Sequence, residues 1–429
     1  MAMNILIKEI PSVIDGKTVT TNICIEKDTI RSVGEPPKDF VPDKIIDGKN
    51  RLAIPALINS HTHAYMSVFR NIADDLPFNE WLFERIMPLE DTLDAEDAYW
   101  GCMLSCIEMI KSGTGTFCDM HMFPRTTPEA ALACGMRVVV TRGLSGGNGD
   151  VAGGIRRINE AIMEYEEYNC EPLIDFMLAP HSIYTCGKEY IKSVLSLAEK
   201  LSLPLNIHLS ESAFEVDTCL AEHGATPVEY LLSIGLFEHK TLAAHCVHLT
   251  EKDIEILAEK GVSVAANPKS NLKLGNGIAP IKNLLDKGVN ICLGTDSAAS
   301  NNSLNLFGEM NYTALLHKGC THDASAVSAK DVFRFATENG AKALGLEKLG
   351  RIEAGYKADI AILNTDCPQM YPMNNPLSAL CYSANGSEVD TMIINGKVVM
   401  ENRVLTSVDE EEVYYHIEKI TKKFRSEKK

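Results

Sequence analysis

The feature that most limits what this chain can become is an alternation that runs through its middle. From about residue 52 to residue 350, short apolar runs of strand length are each followed by a stretch long enough for a helix. The strand candidates cover 53–59, 115–120, 137–142, 175–180, 204–209, 241–245, 262–267 and 289–294. Eight consecutive β-α units favour an α/β fold built as a (β/α)8 TIM-like barrel over an open, doubly wound sheet. A chain of 429 residues has room for such a barrel and a small accessory domain. The ends supply that domain: apolar runs punctuated by Asp15-Gly16, Asp47-Gly48 and Asn395-Gly396, dipeptides suited to tight hairpins. The expected division is a small β-sandwich from 1–54 and 351–405, a barrel over 55–350, and a C-terminal helix over 406–429 that frays in its last four residues.

In a barrel of this kind chemistry collects at the carboxyl ends of the strands. Those positions here hold His61 and His63, His181, His208, His245 and Asp296. His61 and His63 end an apolar run, and in an extended backbone positions i and i+2 point the same way. A divalent ion held by three neutral imidazoles and a carboxylate, with a position left for water, is a plausible centre. The four best candidates are His61, His63, His208 and Asp296. Such an ion lowers the pKa of its water from 15.7 toward ~7. Glu211, three residues past His208, is placed to carry a proton between that water and a substrate. Asp296 could bind the ion, accept a proton, or do both, and His245 could orient the attacking oxygen or stabilise developing charge. Read blandly, Asp296 is a helix cap and His208 with Glu211 a surface pair. His121 and His248, also near strand ends, read as structural. Strand four has no lysine to bridge two metals, which favours a single ion.

Other chemistries find little support. No phosphate-binding Gly-x-x-x-x-Gly-Lys loop and no His-Glu-x-x-His occurs. A formal charge of −17 argues against nucleic acid or an anionic membrane as partner. No run approaches the ~20 apolar residues that span a bilayer. Thirteen scattered cysteines without a Cys-x-x-Cys pair suit reduced thiols and a cytoplasmic setting. A homo-oligomer is left open.

The strand-end set, with Asn79-Glu80-Trp81-Leu82, the run 244–249, the run 267–275 and the run 294–302, resembles the amidohydrolase superfamily. Within it the chain looks like the 5-methylthioadenosine/S-adenosylhomocysteine deaminases over nearly its whole length. The resemblance implies hydrolytic deamination at C6 of an adenine ring in a nucleoside, with one divalent metal, zinc first and iron(II) as the alternative. It implies that Glu211 delivers a proton to N1, that His181 contacts the purine and that Trp81 packs on the nucleoside. Glu90 would take the ribose hydroxyls and Arg142 the carboxylate of a homocysteine tail. A second arginine of the family falls at Arg156 or Arg157, with the register blurred by the loop 146–154. The alternative reading keeps the metal site and changes the substrate to 5′-deoxyadenosine or adenosine, guanine or cytosine, or a triazine. A barrel that only binds is the third.

Overall fold

The structure, a computed structural model, describes residues 3–147 and 149–426. The fraying expected at the C-terminus therefore lies largely outside the described residues. Two parallel sheets form the centre. One runs in the order Ala179–Pro180, Arg137–Leu144, Thr114–His121, Leu57–Thr62, with Ile174–Phe176 also paired to Arg137–Leu144. The other runs Leu205–Leu209, Thr241–His245, Ser263–Ala266, Asn290–Leu293. They meet at two seams: Leu178 bridges Leu205 in parallel, and the Asp296 N–H donates to the His61 carbonyl at 2.9 Å. The outcome is an α/β, barrel-like arrangement. Leu57–Thr62, Thr114–His121 and Arg137–Leu144 are buried at every position, as strands covered on both faces must be. Ile58, Cys118, Val139, Leu242, Ala265 and Cys292, one from each of six strands, form an apolar plug in the interior.

Two expected strands divide. Residues 53–59 split between Arg51–Pro55, which joins another sheet, and Leu57–Thr62. Residues 175–180 split into Ile174–Phe176 and Ala179–Pro180. A continuous apolar run does not reveal that the chain leaves one sheet and enters the next within a residue.

Both chain ends enter a single nine-stranded sheet, in which Ile360–Asn364 runs antiparallel to Arg51–Pro55. Isoleucines dominate its core, among them Ile5, Ile7, Ile23, Ile25, Ile360 and Ile393, as suits β-branched side chains on a pleated surface. Asp15-Gly16 and Asn395-Gly396 make two-residue hairpin turns with positive φ at both positions. Asp47-Gly48 does not: Lys44–Asp47 pairs parallel with Ile5–Ile14, so no hairpin follows it. The glycine is needed for another reason, since a Cβ there would lie 2.5 Å from the Ile10 Cα. The helix Glu410–Ser426 returns to the helix Ala95–Lys111, where Lys423 pairs with Asp97 and Lys111 with Glu410. Among the described residues no helix is long and apolar enough to cross a membrane.

A buried ion pair fastens the parallel sheet to the end sheet. Arg137 Nε donates to Asp359 Oδ2 at 3.1 Å, and Asp359 Oδ1 accepts the Asn395 N–H at 2.7 Å. Both side chains are almost fully covered. Asp359→Ala removes the carboxylate hydrogen-bonded to the buried guanidinium, at an expected cost of ~3–5 kcal/mol. A lowered midpoint in denaturant unfolding would show this, whereas an unchanged midpoint would mean the pair does not hold the sheets together.

Candidate active site

The histidines do not reach the interior by simple strand alternation. Ile58 faces the interior plug while Leu57 packs outward, so a regular strand would turn His61 outward. Between Asn59 and Thr62, however, the register against Thr114–His121 slips by one residue. This bulge re-aims His61 and the residues after it. On another strand Leu242 faces inward and Ala243 outward, and His245 takes a left-handed backbone with φ of 73°. Asp296 is left-handed too, at φ of 61°. Non-glycine residues adopt this conformation at a cost and gather at functional sites. Gly294 completes the arrangement, because a Cβ there would lie 2.7 Å from the His61 Cβ and 2.4 Å from Asn267 Oδ1.

What converges is a ring of imidazoles and one carboxylate. The His61, His63 and Asp296 ligand atoms lie within 4.8 Å of one another, as do those of His61, His208 and His245. His63 Nδ1 donates to the Met120 carbonyl at 2.6 Å, and His208 Nδ1 to the His181 carbonyl at 2.9 Å. Each thus keeps a bare Nε2, and these two nitrogens stand 3.3 Å apart. Burial, then the neighbouring imidazoles, holds His61 and His208 well below the usual imidazole range, so their rings are neutral. Asp296 Oδ1 lies 3.5 Å from His63 Nε2 and 3.8 Å from His61 Nε2. Its Oδ2 accepts from Ser270 Oγ and Ser300 Oγ at 2.6 and 2.7 Å. Burial works against ionisation of Asp296, and the hydroxyl hydrogen bonds on Oδ2 favour its carboxylate form.

A divalent cation fits this donor set. His61 is fully buried, and neither of its nitrogens has a hydrogen-bond partner among the described residues. Lone pairs that face one another without a proton between them need a positive charge to share. The Nδ1–H to carbonyl bonds are the outer-shell contacts that orient metal-binding histidines.

Glu211 stands beside this centre. Burial, then Asp296, pushes its carboxyl up to about 8, so it carries a proton at neutral pH. Asn276 Nδ2 donates to its Oε1 at 3.1 Å, and its Oε2 lies 3.8 Å from His245 Nε2. Its backbone is held as well: Glu215 accepts the Ser210 and Glu211 N–H groups at 3.1 and 2.9 Å. His245 Nδ1 donates to Asn271 Oδ1 at 2.9 Å, which leaves Nε2 open toward the centre.

The cavity over the centre is lined by Trp81, Glu90, His181, Glu211, His245 and Asp296, together with His63 and His208 and a set of apolar side chains. Trp81 lies on the π-helix Glu80–Ile86, a helix form frequent at functional sites. Its buried Nε1 has no partner among the described residues. Tyr65 donates its hydroxyl to Glu90. His181 is brought down to about 3 by burial and then by His63 and His245, and its Nδ1 meets Thr185 Oγ1 at 3.0 Å. Arg142 and Arg156 are not brought to the cavity. Arg142 pairs with Glu160 at 2.9 Å, and Arg156 is largely exposed. Arg157 comes nearer, donating to the carbonyl of Ser145, a lining residue. His121, 3.0 Å from Glu164, is buried outside the lining.

Sequence reasoning did not find Tyr65, Glu215, Asn271 or Asn276. Asn271 falls in the quoted run 267–275, but nothing in a single sequence says which side chain its amide meets. If the ring binds a cation, stripping it with a chelator should lower Tm and adding zinc back should restore it, since a ligand at a thousandfold excess over Kd contributes ~4 kcal/mol. The metal-dependent shift should vanish in His61→Ala. A shift that survived would put the ion elsewhere.

A profile of the amidohydrolase family matches residues 52–399. A 5-methylthioadenosine/S-adenosylhomocysteine deaminase of Caldanaerobacter subterraneus subsp. tengcongensis is 46% identical over 97% of this chain and 96% of its own. A 5′-deoxyadenosine deaminase of Methanocaldococcus jannaschii is 44% identical over 98% of this chain and 100% of its own. Among solved structures, an adenosine deaminase from Xanthomonas campestris with bound zinc superposes with a TM-score of 0.95 at 30% identity, over 99% of both chains.

Proposed function

This chain belongs to the amidohydrolase family, and we propose that it removes the 6-amino group of adenine in 5-methylthioadenosine- and S-adenosylhomocysteine-type nucleosides by hydrolysis, giving the inosyl product and ammonia. It is a metal-dependent hydrolase. The observation that carries the reading is geometric: the ligand atoms of His61, His63 and Asp296, and those of His61, His208 and His245, converge within 4.8 Å, with the Glu211 carboxyl beside His245. We take zinc as the ion, with iron(II) as the alternative; the zinc in the Xanthomonas campestris structure supports zinc. His61, His63, His208 and Asp296 would hold it, and when bound it supplies Lewis-acid activation of water at neutral pH.

The remaining work falls to side chains. Glu211 presents its proton to ring N1, which makes C6 a better electrophile, and takes up a proton from the attacking water. His245 Nε2 and Asp296 Oδ1 flank the oxygen as it adds to C6. As the tetrahedral carbon collapses, Glu211 gives the amine the proton it took from water, the C6–N bond breaks to release ammonia, and the C6 hydroxyl proton returns to Glu211 as the carbonyl forms. His181 contacts the purine, and Trp81 packs against the nucleoside with its free indole N–H available to an acceptor. Glu90, held by Tyr65, accepts from the ribose hydroxyls, which favours a nucleoside over a free base. Arg142 and Arg156, expected at a carboxylate tail, stand beside Glu160 and outside the cavity lining.

The fold reading extends in the same way. We take the parallel strands as a closed (β/α)8 barrel over 55–350, the end sheet as a β-sandwich of 1–54 and 351–405, and 406–429 as an appended helix. Cysteines free of disulfide partners support a reducing, cytoplasmic setting.

Metal-loaded protein assayed for ammonia release should turn over methylthioadenosine, S-adenosylhomocysteine or 5′-deoxyadenosine and leave guanine and cytosine untouched. Turnover of the free bases alone would move the activity to another branch of the family. Glu211→Gln should retain its metal and lose ~10²–10⁴-fold in kcat; full activity in that variant would remove Glu211 from the proton path.

A further inference from the structure

Asp296 lies beyond the end of the strand Asn290–Leu293, so its carboxylate is aimed by side chains and not by the sheet. The two hydroxyls on its Oδ2 come from different segments. Ser270 belongs to the short helix Pro268–Lys273, and Ser300 to the loop that follows Asp296 itself. Oδ1 accepts the Ser297 N–H at 2.8 Å and faces His63 and His61. The two segments follow neighbouring strands, Ser263–Ala266 and Asn290–Leu293. Both serines can hold the same oxygen only while those segments keep their spacing.

A second carboxyl group, outside the cavity lining, joins them. Glu309, on the helix Leu306–Thr321, is fully buried. Its Oε1 accepts from Asn301 Nδ2 at 2.8 Å, and its Oε2 accepts the backbone N–H of Lys269 at 3.3 Å. The same Asn301 amide donates to the Thr295 carbonyl at 2.7 Å. One oxygen therefore grips the loop that carries Asp296 and Ser300, and the other grips the residue before Ser270. Lys269 also lays its ammonium 3.8 Å from Oε1, and Gly308 makes room for it, since a Cβ there would lie 2.3 Å from Lys269 Nζ. Burying a carboxyl group is costly unless partners compensate. Pairing with Lys269 would need neither the Asn301 amide nor the backbone N–H. We propose, on the strength of the metal-centre reading, that Glu309 is a positioning residue: by tying Asn301 to Lys269 it fixes both serines on Asp296 Oδ2 and keeps Oδ1 toward the histidines. Glu309 acts through its neighbours and has no part in the chemistry at C6.

The test titrates zinc into metal-free protein against a competing chelator, for wild type, Glu309→Gln, Asn301→Ala and the double variant. Glutamine fills the same space but offers one acceptor oxygen for two N–H donors, so one tie is lost. Zinc affinity should fall ~10–100-fold in Glu309→Gln, the range for groups that hold metal ligands in place. Asn301→Ala cuts the same tie from its other end and should lose a similar factor. The double variant should lose little more than either, because both changes break one chain of contacts. A merely structural carboxylate predicts otherwise: a lower denaturant midpoint for metal-free Glu309→Gln, with a wild-type zinc Kd. That result, or fully multiplied losses in the double variant, would overturn the proposal. Should Glu309→Gln fail to fold, the zinc Kd of Asn301→Ala decides. Wild type that took up no zinc would sink the metal-centre reading and this proposal with it. Wild type that bound zinc yet deaminated no adenine nucleoside would count against the deaminase reading alone.

Discussion

The site depends on two imidazole lone pairs that face each other. His63 Nε2 and His208 Nε2 are 3.3 Å apart, and each ring has already committed its proton, through Nδ1, to a backbone carbonyl. Two acceptors at that distance repel unless a cation lies between them or near them. The surroundings deny the easier escape of protonation: burial holds His208 well below the usual imidazole range. Asp296, kept ionised with two serine hydroxyls on one oxygen, supplies the negative charge that a divalent ion requires.

The same low-dielectric setting that strips protons from the imidazoles puts one on Glu211. Burial disfavours whichever form is charged, so it lowers a histidine and raises a carboxylic acid. One enclosed space therefore favours neutral rings at His61 and His208 and a proton on Glu211 side by side. Asp296 departs from the trend with two serine hydroxyls donating to its carboxylate, whereas the second cause acting on Glu211 is Asp296 itself. Two carboxyl groups with opposite protonation mark an acid and a base in one site. Glu215 underlies this, since its two oxygens hold the backbone on which Glu211 rides.

Much of this was legible in the sequence, and what was not has identifiable causes. Alternation of strands and helices is a property of local pattern, and the α/β architecture follows from it. The histidines at strand ends stand out because polar groups there interrupt apolar runs. Their aim is another matter. His61 faces the centre because of a bulge between Asn59 and Thr62, and His245 because its backbone is left-handed; neither is written in a period of two. Asp47-Gly48 misleads for a related reason, as its glycine serves a close approach to Ile10 and not a hairpin. Residues that act by holding others, such as Tyr65 and Asn271, lie far along the chain from their partners, and only the fold discloses the pairing.

The most direct measurement is anomalous diffraction at the metal edge from crystals of the metal-loaded protein. One peak is expected, ~2.0–2.2 Å from a nitrogen of His61, His63 and His208 and from an oxygen of Asp296. A peak elsewhere, or a water bridging His63 and His208 with no ion in the ring, would contradict the account.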